Sequence, residues 1–148
     1  MQFVHESVFE VPVHELFAFH ERPDAFELLM PPWETVRNVQ PATSLEVGAV
    51  AKLEQRVGPF WIEIVAEHVA YEKNRLFVDE MRKGPFAAWR HEHRFESDAR
   101  GSRLVDAVTY TPPLGVLGRL AAPLAVQPRL RKMFEHRHRV TRSALAGG

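Results

Sequence analysis

From Trp33 to Thr111 the periodic segments all read as strands, and only one later segment is long enough to cover the sheet they would form. That pairing constrains the architecture more than any other feature. An antiparallel sheet with one apolar face needs a second layer to bury it. The strand segments are Glu34–Gln40, Ala49–Val57, Phe60–Val69, Arg75–Lys83, Phe86–Ser97 and Ser102–Thr111. Gly58–Pro59, Glu72–Asn74, Gly84–Pro85 and a loop through Asp98 and Gly101 connect consecutive strands. Connections this short imply antiparallel hairpins and meanders. The cover is a helix predicted from Arg129 to about Leu145. At about 100° per residue, Leu130, Met133, Phe134, Val140, Thr141 and Ala144 gather on one face, with Arg137 near its middle.

Ahead of the strands, residues 2–11 alternate. Phe3, His5, Ser7, Phe9 and Val11 share one face, which adds a seventh strand. Pro12 stops it. Val13–His20 follows a helical spacing, and Pro23–Asp24 reopens a second short helix that Pro31–Pro32 closes. Helices of about two turns do not stand alone, so both must pack on the body. After Pro112–Pro113 comes a short apolar segment, Leu114–Ala122, and Pro123 and Pro128 mark helix starts or kinks.

The chain has 148 residues, which suits one domain over 1–148. It has no Cys, which removes disulfides, thiolate nucleophiles and Cys-based metal sites. Nineteen basic residues balance nineteen acidic ones, a poor balance for nonspecific nucleic-acid binding. No apolar run approaches the ~18 residues of a membrane span, and no leader pattern opens the chain. A cytoplasmic protein without a transmembrane segment is expected. Charge is uneven. From Gly115 onward Arg119, Arg129, Arg131, Lys132, Arg137, Arg139 and Arg142 face one acid, Glu135. That tail is either a solvated helix face or a contact for an anionic ligand, membrane surface or partner.

The order strand, two helices, six strands, long C-terminal helix resembles the helix-grip fold of the START-related superfamily, also called SRPBCC. Its opening, S-V-F-E-V-P-V-H-E-L-F at 7–17, is similar to the family's entry from strand into helix. F-V-D-E at 77–80, G-P-F at 84–86, W-R-H-E-H-R-F at 89–95, D-A-V-T-Y at 106–110, P-L-G at 113–115 and F-E-H-R-H at 134–138 resemble a bacterial, cyclase-like subgroup. The resemblance implies an α+β fold: a seven-stranded antiparallel sheet wrapped around the C-terminal helix, hollow enough to hold a ligand. It implies no single reaction, since one scaffold hosts binders, carriers and enzymes. It also allows a homodimer, and the oligomeric state stays open.

Polar residues on the core face carry the chemical signal. Trp89, His91, His93 and Phe95 share one face of their strand against Arg90, Glu92 and Arg94, so the histidines point inward. Leu104, Asp106, Val108 and Tyr110 form the larger-residue face of the next strand, and Phe77, Asp79 and Met81 share a face of an earlier one. Trp61, Glu63, Val65 and Val69 are read as inward, in competition with Phe60, Ile62 and Ile64. Buried charge is costly unless paired. A network is therefore expected, with Arg137 bonded to Asp106 first and to Asp79 or Glu63 second, and His5 nearby. It either lines a wet cavity or locks helix to sheet.

His-x-His on a strand is also a metal-ligand spacing, with Asp106 or His5 as third donor. No third His stands in register and the resembling superfamily is mostly metal-free, so neither metal nor cofactor is expected. His20, His68, His136 and His138 read as surface residues, and Ser7 and Ser102 have no triad setting.

The first functional reading is a binder of a small hydrophobic or amphipathic molecule, lipid-like or aromatic polyketide-like. Its candidate contacts are Trp61, Phe77, Asp79, Trp89, His91, His93, Asp106, Tyr110, Phe134 and Arg137. The second is a cyclase- or dehydratase-type enzyme, with His91 or His93 as general base and Tyr110 or Arg137 stabilising an enolate. The third is an interaction module using the basic C-terminal helix. No Gly-rich phosphate loop supports nucleotide or nucleic-acid chemistry.

Overall fold

The computed structural model describes residues 1–147. Strand β1 (Gln2–Phe9) leads into helices α1 (Val13–Glu21) and α2 (Ala25–Leu29). Strands β2 (Val36–Gln40), β3 (Val50–Val57), β4 (Phe60–Glu72), β5 (Leu76–Lys83), β6 (Ala88–Asp98) and β7 (Gly101–Thr111) follow. Helices α3 (Gly115–Ala125) and α4 (Gln127–Ala146) close the chain. The fold is α+β. The seven strands form one antiparallel sheet in the order β1-β7-β6-β5-β4-β3-β2. Each consecutive pair from β2 to β7 is a hairpin, and β1 returns to the far edge beside β7.

Helix α4 lies against β1, and α1 against β6 and β7. Two apolar clusters result. Phe3, Val108, Tyr110, Ala122, Leu130 and Phe134 pack at one end. Phe9, Leu16, Phe17, Phe77, Phe95 and Leu104 pack at the other. The short α1 is stable here because Leu16, Phe17 and Phe19 are buried, and α2 is seated by the buried Ala25, as their length requires.

Three local expectations are corrected. The register Leu53↔Ile64 and Gln55↔Ile62, together with His68↔Asp79, turns Ile62, Ile64 and His68 inward. Trp61 and Glu63 therefore face outward, because alternate residues of a strand point to opposite sides. Trp61 lies under the Arg37 guanidinium at 4.0 Å, and Glu63 pairs with Lys83 at 3.3 Å. The Ile62–Ile64 pair outweighs the single Trp ring in setting the face. His20 and His68 are buried, not on the surface. The ring of His20 sits among Phe19, Phe77 and Phe95 and donates through Nδ1 to the Leu16 carbonyl at 2.9 Å. Finally, Leu114–Ala122 grows into the full helix α3, which runs through Pro123, while Pro128 occupies the first turn of α4 where its missing N–H costs nothing.

Helix α3 is seated by small residues. Ala122 is buried, and a side chain at Gly118 would collide with the Pro113 carbonyl oxygen. Close approach to the Pro112–Pro113 corner thus requires glycine at 118.

Candidate functional site

Two rows of side chains cross the inner face of the sheet. In the first, His68 on β4 stands opposite Asp79 on β5, and Asp79 opposite His91 on β6. In the second, Phe77 stands opposite His93, His93 opposite Asp106 on β7, and Asp106 opposite His5 on β1. The polar contacts run diagonally between the rows. His91 Nε2 donates to Asp106 Oδ1 at 2.7 Å, and His93 Nε2 to Asp79 Oδ2 at 2.9 Å. The other ring nitrogen of His93 lies 3.3 Å from Asp106 Oδ1.

Helix α4 supplies a third imidazole from above. His138 Nε2 donates to Asp106 Oδ2 at 2.6 Å, and its Nδ1 accepts from the Ser7 hydroxyl at 2.8 Å. One carboxylate thus faces His91, His93 and His138, while Ser7, His138 and Asp106 stand in line. His91, Asp106 and His138 are only 4%, 4% and 2% exposed. Phe77 stacks on His93 with ring centroids 3.8 Å apart, and Phe134 meets His91 edge-on at 5.1 Å.

Proton positions follow from these partners. Both nitrogens of His93 face carboxylate oxygens, an arrangement that favours the doubly protonated, cationic ring. Burial disfavours that charge, but the hydrogen bonds to Asp106 and Asp79 outweigh it and raise the His93 pKa. Burial, reinforced by the charge of His93, lowers the pKa of His91. Burial alone would raise the Asp106 pKa, yet three imidazole hydrogen bonds hold it well below the ordinary carboxylate value. Asp79 is lowered in the same way, burial being overcome by His93 and by the nearby His91.

The structure gathers some of the expected residues and separates others. Phe77, Asp79, His91, His93, Asp106 and Phe134 come together. Arg137 does not pair with Asp106, Asp79 or Glu63. Its guanidinium carbon lies 5.5 Å from the Phe134 ring, and Nε is buried without a hydrogen-bond partner. His138, expected on the surface, holds the carboxylate instead. The buried stripe of α4 is Leu130, Phe134, His138 and Thr141. Spacings of four, four and three residues around Phe134 mark that stripe. Apolar weight at Met133 and Val140 draws the expected face one position aside, onto Arg137. Ser7, read as lacking any triad setting, gains one through the same helix.

Trp89 and Tyr110 belong to a second region. They stand opposite each other in the β6–β7 register and pack with Phe86. The Tyr110 hydroxyl accepts from Gln127 Nε2 at 2.8 Å, away from the imidazoles. An open groove of about 290 Å³ is lined by Glu80, Arg82, Arg90, Thr109 and Thr111 together with Met81, Ala87, Ala88, Trp89 and Tyr110, and α4 contributes none of its walls. A second, of about 370 Å³, lies at Glu6, Ser7 and Val8 among Arg100, Arg103 and Arg142. Possible ligand atoms of Asp79, His91 and His93 fall within 4.8 Å of one another, a spacing that could hold a metal ion. In this arrangement they bond to carboxylates and imidazoles instead.

The model of the family described as polyketide cyclase/dehydrase and lipid transport matches residues 9–139. The chain belongs to this family. A protein from Thermus thermophilus superposes with a TM-score of 0.72 at 12% identity, over 97% of this chain and 99% of its own. Ara h 8.0201 gives 0.67 at 15% identity, over 100% and 99%. A nucleoside-diphosphate sugar epimerase from Corynebacterium glutamicum gives 0.69 at 22% identity, over 99% of this chain but 29% of its own. These likenesses establish the shared fold. No curated protein sequence matches the chain. Among the described residues no helix is long and apolar enough to cross a membrane.

Proposed function

We propose that the chain binds a small hydrophobic or amphipathic molecule, lipid-like or aromatic polyketide-like, between the sheet and α4. The observation that carries this reading is the order of side chains along β6. Trp89 lines the open groove, and His91, the next inward residue about 7 Å along the strand, begins the polar cluster. Aromatic rings beside a few fixed polar groups suit a ligand with one polar end. The family's description supports the ligand class, and the likenesses to the epimerase and to Ara h 8.0201 add the scaffold alone.

One observation favours a second reading, a cyclase- or dehydratase-type enzyme. A general base must be neutral near the working pH. The lowered pKa of His91 favours the neutral ring, whereas the raised pKa of His93 disfavours it.

The test is native mass spectrometry of the purified protein, followed by denaturation and identification of any released small molecule. In parallel, displacement of anilinonaphthalene sulfonate by oleate is measured for the wild type and for Trp89→Ala, which removes an inward-facing ring beside the polar cluster. A co-purifying lipid or aromatic compound is expected, with about tenfold weaker oleate binding in the variant, equivalent to ~1.4 kcal/mol. A protein that carries nothing and gives equal curves for both forms would overturn the reading.

A further inference from the structure

Helix α3 presents to solvent the kind of face that helices normally bury. Val116, Leu117, Leu120 and Leu124 are 69%, 72%, 72% and 87% exposed. At about 100° per residue they fall within an arc of about 100°, with Ala122 diametrically opposite. Ala122 is the buried residue that seats the helix, so the ridge points away from the body. Leu114, just ahead of the helix, is also exposed. A contiguous apolar ridge on a surface helix marks a contact site.

The charge around the ridge selects the occupant. From Ala107 to Phe134 the chain carries no Asp or Glu and four cations, Arg119, Arg129, Arg131 and Lys132. Arg119 lies on α3 itself, and the other three occupy the opening turns of α4, where Arg129 approaches Glu34 at 3.9 Å and Lys132 lies over the Trp33 ring at 4.2 Å, which leaves Arg119 and Arg131 without an acidic partner among the described residues. A second copy of the chain would bring these cations against their own counterparts. An anionic bilayer satisfies both features at once, since acyl chains take the leucines and headgroups take the arginines.

We infer that α3 is an interfacial anchor that docks this protein on anionic lipid surfaces, with Leu117, Leu120 and Leu124 inserted and Arg119 and Arg131 at the headgroups. The inference holds whether or not the groove carries cargo, because empty vesicles are enough to test it. No transmembrane span is involved. The helix would lie in the plane of the interface.

The experiment is flotation with phosphatidylcholine vesicles, with and without phosphatidylglycerol at about one part in three. The wild type is expected to float with the anionic vesicles at lipid concentrations at least tenfold below those needed with neutral ones, and to be released by ~0.5 M salt. Leu117→Ser combined with Leu120→Ser and Leu124→Ser should abolish binding, and Arg119→Glu with Arg131→Glu should weaken it at least tenfold. Both variants alter exposed positions, and circular dichroism verifies their fold. Against the wild type with its own three tryptophans, Leu120→Trp should add a component to the emission that shifts to the blue on adding anionic vesicles. The proposal is overturned if the wild type does not float, if the leucine variant floats equally well, or if the tryptophan reporter stays solvent-like. Sedimentation showing a wild-type dimer that the leucine variant abolishes would assign the ridge to self-association and equally overturn it.

Discussion

Replacing Asp106 with alanine is expected to lower the free energy of unfolding by about 3–5 kcal/mol, the range for breaking a buried charge network by removing one partner. Asp106 accepts from His91 at 2.7 Å and His138 at 2.6 Å, with His93 at 3.3 Å. The substitution leaves the N–H donors of His91 and His138, and the ring of His93, facing an empty site. Asp106→Asn keeps the volume and one acceptor oxygen, so its cost should be smaller but still above about 1.5 kcal/mol. The linkage has a definite sign. The folded carboxyl has its pKa depressed, so its contribution is present above the ordinary carboxylate value and is lost as pH falls through the folded value. Urea unfolding at pH 7 measures the effect. A midpoint shift worth less than about 1 kcal/mol for the alanine variant would show that the three imidazoles gain little from the carboxylate.

The second large effect comes from His20. Burial among Phe19, Phe77 and Phe95 drives its pKa from 6.5 down to about 4, against the opposing bond to the Leu16 carbonyl. The farther charges of Asp106, His93 and His138 act weakly on it. The unfolded chain then takes up a proton that the folded one refuses. Stability is full above about pH 6.5 and falls as the pH drops toward 4, by about 3 kcal/mol for that displacement. His20→Leu should remove this slope. Urea unfolding between pH 7.5 and 4.5 checks it, because His5, His68 and His91, also lowered, remain in both proteins and cancel in the comparison. Parallel curves for wild type and variant would exclude His20 as the source.

The sheet is legible in the sequence because its segments alternate cleanly and their connections are short, and the cover is legible because only one helix has the length. Within the site, His91, His93, Asp79 and Asp106 are legible for the same reason. Each sits on a strand where period two assigns the face once two large neighbours are placed. The helix is harder. At about 100° per residue a single step shifts the buried stripe only modestly, so Arg137 and His138 compete for one seam. The winner is fixed by the shape of the sheet below. Trp61 fails for a related reason: both faces of its strand carry large apolar residues, so alternation alone leaves the orientation undetermined. The burial of His20 depends on rings from β5 and β6, contacts that no local pattern around residue 20 records.

The line from Ser7 through His138 joins residues 131 positions apart, and His138 reaches Asp106 across 32. Contacts of such sequence separation can be made only after the hairpins exist and both ends of the chain have been drawn in. The cluster should therefore be a late acquisition on the folding route, absent from the rate-limiting barrier. Stopped-flow measurements on His138→Ala are expected to show faster unfolding with a nearly unchanged refolding rate. Asp106 would then act as a latch on the completed molecule, governing how long it stays closed more than how quickly it forms.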